Sequence, residues 1–331
     1  MTWFESLTGF KEVSPDQVRS MLILSDQTIS SRKNNQTYIC GHLETPSLSD
    51  LRNRTSLEHL SDGILEVEEL VGDVQHFHKN PSNTSAFFQA ASQFNLLEMV
   101  APEVSPEEGI GIYEHDHTQG PACAIAAGAG TIYRNYFAKV NGQIGQTANN
   151  QIDCLHDMGV ALGNHNEQLW EMQNGYALPN EHGLAAIDKK IAAMDEHQRD
   201  ELRQKLRIGL QWNTQVTLDH CQHKVTQAYC SALPVAYSKL PNDLWRNFAT
   251  LILEASYEAT LHAALLNYRN TQNSTVFLTL LGGGVFGNRE EWIFSSIRRA
   301  LHIFKQTPLK IKMLSYGQSN PQLRAFLASL K

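Results

Sequence analysis

The segment Val276-Phe-Leu-Thr-Leu-Leu-Gly-Gly-Gly-Val-Phe-Gly-Asn288 constrains the fold of this chain more than any other. Val276 to Leu281 is an apolar run without polar alternation, the pattern of a strand covered on both faces of its sheet. Three consecutive glycines follow it. Ile293, Ile297, Ala300, Leu301 and Phe304 then recur at helical spacing. Phe248, Leu251, Ile252, Ala255, Ala259 and Leu266 form a helical stripe before the strand, and Leu309, Ile311 and Met313 alternate after it. The order helix, buried strand, glycine loop, helix, edge strand predicts an α/β sheet with helices on both faces.

Upstream segments extend the pattern. Gln36 to Pro46 reads as a strand ending in a turn, with Ser47 capping the next helix. Leu65 to Val71 alternates like a half-buried strand, and Ser85 to Ser92 is a short apolar run ending in polar side chains. Ala122 to Tyr136 predicts one helix packed on the sheet. From Gly183 to Arg207, the stripe Leu184, Ile187, Ile191, Met194 beside dense charge predicts a largely solvated amphipathic helix. These units place an N-terminal extension at residues 1–63 and the main domain at 64–331, with a helical insertion around 150–210.

In such sheets ligands sit beyond the C-terminal strand ends, where loops lead into helices. Three segments qualify. Gly282 to Asn288 can bring its backbone close to an anion, helped by the next helix's N-terminal dipole. Glycine content alone fits a tight turn equally well; the position after a buried strand favours the cradle. The loop has neither a Gly-Lys-Ser/Thr ending nor Gly-x-Gly-x-x-Gly spacing, which disfavours a P-loop and a dinucleotide fingerprint. Asp116-His-Thr-Gln-Gly-Pro121 leads into a second helix start, with Pro121 suited to its first turn; a surface cap is the plainer reading. Phe88-Gln-Ala-Ala-Ser-Gln-Phe-Asn-Leu-Leu-Glu98 clusters amides and hydroxyls after a strand, where they must pair with each other or with a ligand.

Charge narrows the partners. A formal net charge of −7 offers no basic field for nucleic acid. No apolar run reaches membrane-span length and the start lacks signal-peptide character. Five scattered cysteines read as reduced thiols. A cytoplasmic protein is expected. His76 with His78, His115 with His117, and Asp219 with His220 and His223 raise a metal site as a rival. Solvated or core-edge histidines are the simpler account of such pairs among 14 histidines.

Taken in chain order, these segments resemble the macrodomain family, and most closely its divergent branch related to poly(ADP-ribose) glycohydrolases and MavL-type bacterial effector hydrolases acting on ADP-ribosylated arginine. Glu69-Leu-Val-Gly-Asp-Val74 is similar to the family's early Gly-Asp-Ile/Val turn, which implies that Asp73, with Val74, binds the adenine amino group. Phe88-Gln-Ala-Ala-Ser92 resembles its Val-Asn-Ala-Ala-Asn strand end, with Gln89 and Ser92 replacing the two asparagines and Gln93 and Asn95 following. Thr118, Gln119, Gly120 and Pro121 stand where the first glycine-rich loop belongs. Tyr229 to Tyr237, with Ser231, resembles the strand before the long helix. Gly282, Gly283, Gly284, Val285, Phe286, Gly287 and Asn288 resemble the diphosphate loop, Ser-Thr-Gly-Ile-Tyr/Phe-Gly.

The resemblance implies a three-layer αβα fold with a mixed sheet. It also implies ADP-ribose or an ADP-ribosylated protein as partner, no cofactor, and hydrolysis at the anomeric carbon of the distal ribose. Hydrolysis of that bond passes through an oxocarbenium-like state and needs a carboxylate to activate water or stabilise charge. Asp116 is the first candidate, Glu98 the second and Asp219 the third. A non-catalytic ADP-ribose reader is the alternative.

Overall fold

In the computed structural model, which describes residues 1–56 and 63–330, seven strands build one central sheet. They are β1 (His42–Glu44), β2 (Glu66–Val71), β3 (Phe87–Ala91), β4 (Gly209–Gln215), β5 (Lys224–Cys230), β6 (Thr275–Leu278) and β7 (Lys310–Ser315). The order across the sheet is β1-β4-β5-β3-β6-β7-β2. β5, β3, β6, β7 and β2 run parallel, whereas β4 pairs antiparallel with both β5 and β1. The sheet is therefore mixed. Residues 57–62 of the expected extension, and Lys331, lie outside the described residues.

β3 shows why the fold has three layers. Successive strand side chains point to opposite faces. Phe88 stacks on His78, ring centroids 3.8 Å apart, below the helix Val74–Lys79. Gln89 points the other way and donates to Thr260 of the long helix Asn242–Thr271. The helices Val74–Lys79 and Gln119–Ala126 cover the first face; the long helix, with Glu290–Ile303 packed on it, covers the second. Both faces are dry, so β3 and β6 carry apolar runs and no alternation.

Residues 1–56 are woven into the domain. β1 is an edge strand of the sheet, and the helix Leu48–Arg54 packs on the long helix. Ser47 caps that helix in a capping box with Asp50, as the sequence predicts. Phe4, Leu7, Phe10 and Val18 join Leu97, Met99, Ile110, Tyr113 and Tyr136 in a second apolar core.

Three expectations are corrected. The last strand is interior: β7 lies between β6 and β2, because β2 adds outside it. The helix predicted over 122–136 is broken at Ala127 (φ −116°, ψ 56°), giving Gln119–Ala126 and Gly128–Tyr136. The single helix predicted over 183–207 is two, Glu181–Ala192 and Glu196–Arg203, because Asp195 caps the second. The insertion around 150–210 also holds a hairpin of Trp170–Gln173 and Tyr176–Pro179.

One ion cluster ties these parts together. Glu258 on the long helix accepts from Arg52 at 2.6 Å and Arg299 at 2.5 Å, and Arg52 also pairs with Asp200 at 2.7 Å. Burial raises the Glu258 carboxyl, but bonds from His262, Arg52 and Arg299 outweigh it and hold the group well below the usual carboxylate range.

Candidate active site

The C-terminal ends of β3, β5 and β6 open onto a cavity of about 440 Å³. Three local structures shape it.

The first is the loop after β6. Tyr257 of the long helix pins its base, donating to the Thr279 carbonyl at 2.9 Å and accepting from the Leu281 amide at 2.8 Å. Asn288 closes its far end by donating to the Leu233 carbonyl at 2.8 Å. Gly282 turns the chain with φ +72°, and a Cβ there would lie 2.4 Å from Ala232 Cβ. The amides of Gly283, Gly287 and Asn288 are used inside the loop. Among the described residues, the amides of Gly282, Gly284, Val285 and Phe286 donate to no protein group, and all four residues line the cavity. Unpaired N–H groups on a cavity wall are available to an anion.

The second is the start of the helix Gln119–Ala126. The Gln119 side chain mimics a strand neighbour of β3, accepting from the Ala91 amide at 2.8 Å and donating to the Gln89 carbonyl at 2.7 Å. That pairing brings the helix start over the end of β3. Asp116 accepts from the Thr118 amide at 2.9 Å and faces the cavity half-exposed. Thr118 makes no side-chain cap bond, and it lines the cavity together with Gln119, Gly120 and Pro121.

The third is the irregular segment after β3, which ends at Glu98. Glu98 is 3% exposed, and among the described residues its Oε1 has no hydrogen-bond partner. Gly120 makes room for it: a Cβ there would lie 1.9 Å from the Ala91 carbonyl oxygen and 2.4 Å from Glu98 Oε2. Burial pushes the Glu98 carboxyl well above the ordinary 4.5, Arg134 pulls it back, and Asp116 adds to the rise. Arg134 is fully buried, stacked 3.6 Å over the Tyr229 ring and bonded to the Leu96 carbonyl and Thr131.

The cavity thus gathers Ser92, Gln93, Glu98, Asp116, Thr118, Gln119, Gly120, Pro121, Gly282, Gly284, Val285 and Phe286. A second cavity of about 410 Å³ opens between the ends of β6 and β7, shares Gly284 with the first, and is lined by Gly283 and Tyr316.

The remaining expected residues line neither cavity. Asp73 caps the helix Val74–Lys79 through the Gln75 amide, and Val74 lies in the core. Gln89 faces the long helix, as strand alternation requires. Asn95 is buried, accepting from the Leu97 amide and donating to Gln151. Ser231 donates to the Ala232 carbonyl. Gly287 sits against Ala236, and Asn288 faces inward. Asp219 is displaced furthest. β4 runs antiparallel to β5, with Gln215 opposite Lys224, so the turn after β4 emerges at the sheet edge opposite the cavity. There Asp219 pairs with Lys79 at 2.8 Å.

Sequence reasoning missed Tyr176, Tyr237 and Phe286 as a unit. Their ring centroids lie 5.2 to 5.6 Å apart in the cavity wall, and Tyr176 donates to the Met99 carbonyl at 2.6 Å. They come from the insertion hairpin, the turn after β5 and the glycine loop, so no local pattern links them. Among the described residues, no three His, Cys, Asp or Glu side chains are grouped to hold a metal ion. Nor is any helix there long and apolar enough to cross a membrane.

No family model matches the sequence, and no curated protein matches it. Among solved structures, the chain is similar to poly(ADP-ribose) glycohydrolase from Thermomonospora curvata bound to the inhibitor ADP-HPD. The identity is 10% over 96% of this chain and 97% of that one, with a TM-score of 0.47. It is also similar to poly(ADP-ribose) glycohydrolase from Deinococcus radiodurans in complex with ADP-ribose. There the identity is 14% over 88% of this chain and 94% of that one, with a TM-score of 0.46.

Proposed function

We propose that this protein binds ADP-ribose and hydrolyses the bond joining its distal ribose to a modified protein side chain, arginine in particular. The observation that carries the reading is the pairing of Glu98 and Asp116 in one cavity walled by the free amides of the 282–286 loop. Two carboxyl groups in unlike environments divide acid and base roles between them. Glu98, whose burial raises its pKa and favours the protonated form, is the acid. Asp116, half-exposed on the loop side, takes the water proton.

The diphosphate lies on the open amides of Gly282, Gly284, Val285 and Phe286. The distal ribose enters the first cavity, and the adenosine half lies in the second, across Gly284 and beside Tyr316. Water adds to the anomeric carbon as its bond to the guanidine nitrogen breaks. Asp116 accepts the proton from water, and Glu98 donates one to the departing guanidine. The binding of the remote diphosphate positions the scissile bond. No Lys or Arg lines either cavity among the described residues, which suits a cationic leaving group better than a further phosphate.

The test is release of ADP-ribose from an ADP-ribosylated arginine peptide by wild type and Asp116→Ala, alongside a thermal-shift titration with ADP-ribose. Expected are a shift in both proteins and release by wild type only. A shift without release by wild type leaves a reader module. No shift at saturating ligand removes the whole reading.

A further inference from the structure

The turn that carries Asp116 does not stand by itself. Glu12, in the N-terminal segment, places its carboxylate beneath that turn. It accepts from the Ile110 amide at 3.1 Å, the Gly111 amide at 2.7 Å and the Tyr136 hydroxyl at 2.5 Å. The backbone is shaped around it: a Cβ on Gly109 or Gly111 would come within 2.7 or 2.8 Å of Glu12 Oε2. Gly111 opens the tight turn Gly111–His115, and Asp116 follows directly. Within the turn, Tyr113 bonds the main chain of both candidate residues, Asp116 and Glu98. Its carbonyl accepts from the Asp116 amide at 3.1 Å and its hydroxyl accepts from the Glu98 amide at 2.9 Å. Trp3 adds a second tie, donating from Nε1 to the Ile110 carbonyl at 3.0 Å and from its amide to Glu114 at 3.0 Å.

We propose that Glu12 is a positioning residue of the hydrolytic site: its carboxylate holds the 110–115 turn in the one register that aims Asp116 and Glu98 at the same point. This rests on the hydrolase reading above. Glu12 does not line the cavity and touches none of the open amides of the 282–286 loop. Its loss therefore acts on the geometry of the reacting groups and leaves the diphosphate seat intact. Small misplacements of reacting groups cost rate far more than affinity. Glutamine cannot replace it, because in either orientation its amide group turns a donor towards the Ile110 or the Gly111 N–H.

The experiment compares wild type, Glu12→Gln and Glu12→Ala for ADP-ribose release, ADP-ribose affinity by calorimetry and thermal stability. Asn34→Ala is the structural control: it removes a bond to the Leu7 carbonyl in the same N-terminal core without touching the turn. Expected is a drop in kcat of about tenfold or more in Glu12→Gln, with Kd for ADP-ribose within about twofold of wild type. Asn34→Ala lowers Tm and leaves kcat per folded molecule unchanged. Should Glu12→Ala not fold, Glu12→Gln, which keeps one acceptor and the side-chain volume, carries the comparison. A Glu12→Gln kcat equal to wild type, or a kcat and binding stoichiometry that fall together with the folded fraction, overturns the proposal alone. Absence of release by wild type strikes the hydrolase reading first and the proposal with it.

Discussion

The amide of Glu98 donates to the hydroxyl of Tyr113 at 2.9 Å, so a residue buried after β3 takes its place from the turn that presents Asp116. Neither carboxyl group is held by its own strand. Glu98 lies in an irregular segment, where Gly120 makes space and both the Arg134 charge and a hydrogen bond with Ser92 favour the ionised form against burial. Desolvation favours the neutral form of a carboxyl group so placed, and the neutral form is the one that can donate a proton.

Glu98→Gln follows from that environment. The folded-state pKa is raised above 4.5, so the unfolded chain loses this proton first. The stability associated with the protonated group is complete below 4.5 and is lost as pH rises through the folded pKa. Glutamine does not titrate. Denaturant midpoints measured across pH 4 to 8 will show the variant gaining on wild type as pH rises, while its release of ADP-ribose falls by about 100-fold or more.

His78 gives the opposite slope. On the Val74–Lys79 helix, burial against Phe88 lowers its pKa from 6.5 to about 4, so the fold holds it neutral. Its stabilisation is present above 6.5 and is lost as pH falls from 6.5 through 4, on the order of 3 kcal/mol in all. His78→Gln removes this acid-side loss. If wild type and variant weaken in parallel between pH 7 and 4, the neutral buried imidazole is wrong.

Two glycines of one loop separate folding from binding. Gly282 has φ +72° and no room for a Cβ, whereas a Cβ on Gly284 meets nothing within 4 Å. Gly282→Ala is expected to lose stability by about 1–3 kcal/mol. Gly284→Ala keeps the wild-type melting temperature, but its methyl projects into the ligand cavity. Calorimetry should show ADP-ribose binding weakened at least about tenfold.

Glu258→Gln tests the ion cluster. It leaves Arg52 and Arg299 without their shared carboxylate inside a largely buried network. Breaking one member of such a network costs about 3–5 kcal/mol. A urea midpoint close to that of wild type would show that Asp200 alone suffices for both arginines.

What the sequence determined by itself is local. The apolar run of β6, the glycines after it, the cap at Ser47 and the helix start near Pro121 each depend on neighbours a few residues away, and their patterns carry that dependence. The three loop segments at the C-terminal ends of parallel strands were legible for the same reason, and they supply much of the cavity wall.

Tertiary structure decided which side chains of those segments face one another. Gln89 belongs to the long helix because strand alternation and the choice of covered face send it there. Asp219 leaves the site because β4 runs against its neighbours. Tyr176, on the insertion hairpin, and Tyr237, in the turn after β5, join it because both pack against Phe286 of the glycine loop. Glu12 meets Gly111 across 99 residues. A composition or periodicity carries no record of such meetings, since strand order, direction and the burial of a single carboxyl group are fixed only when distant segments pack together.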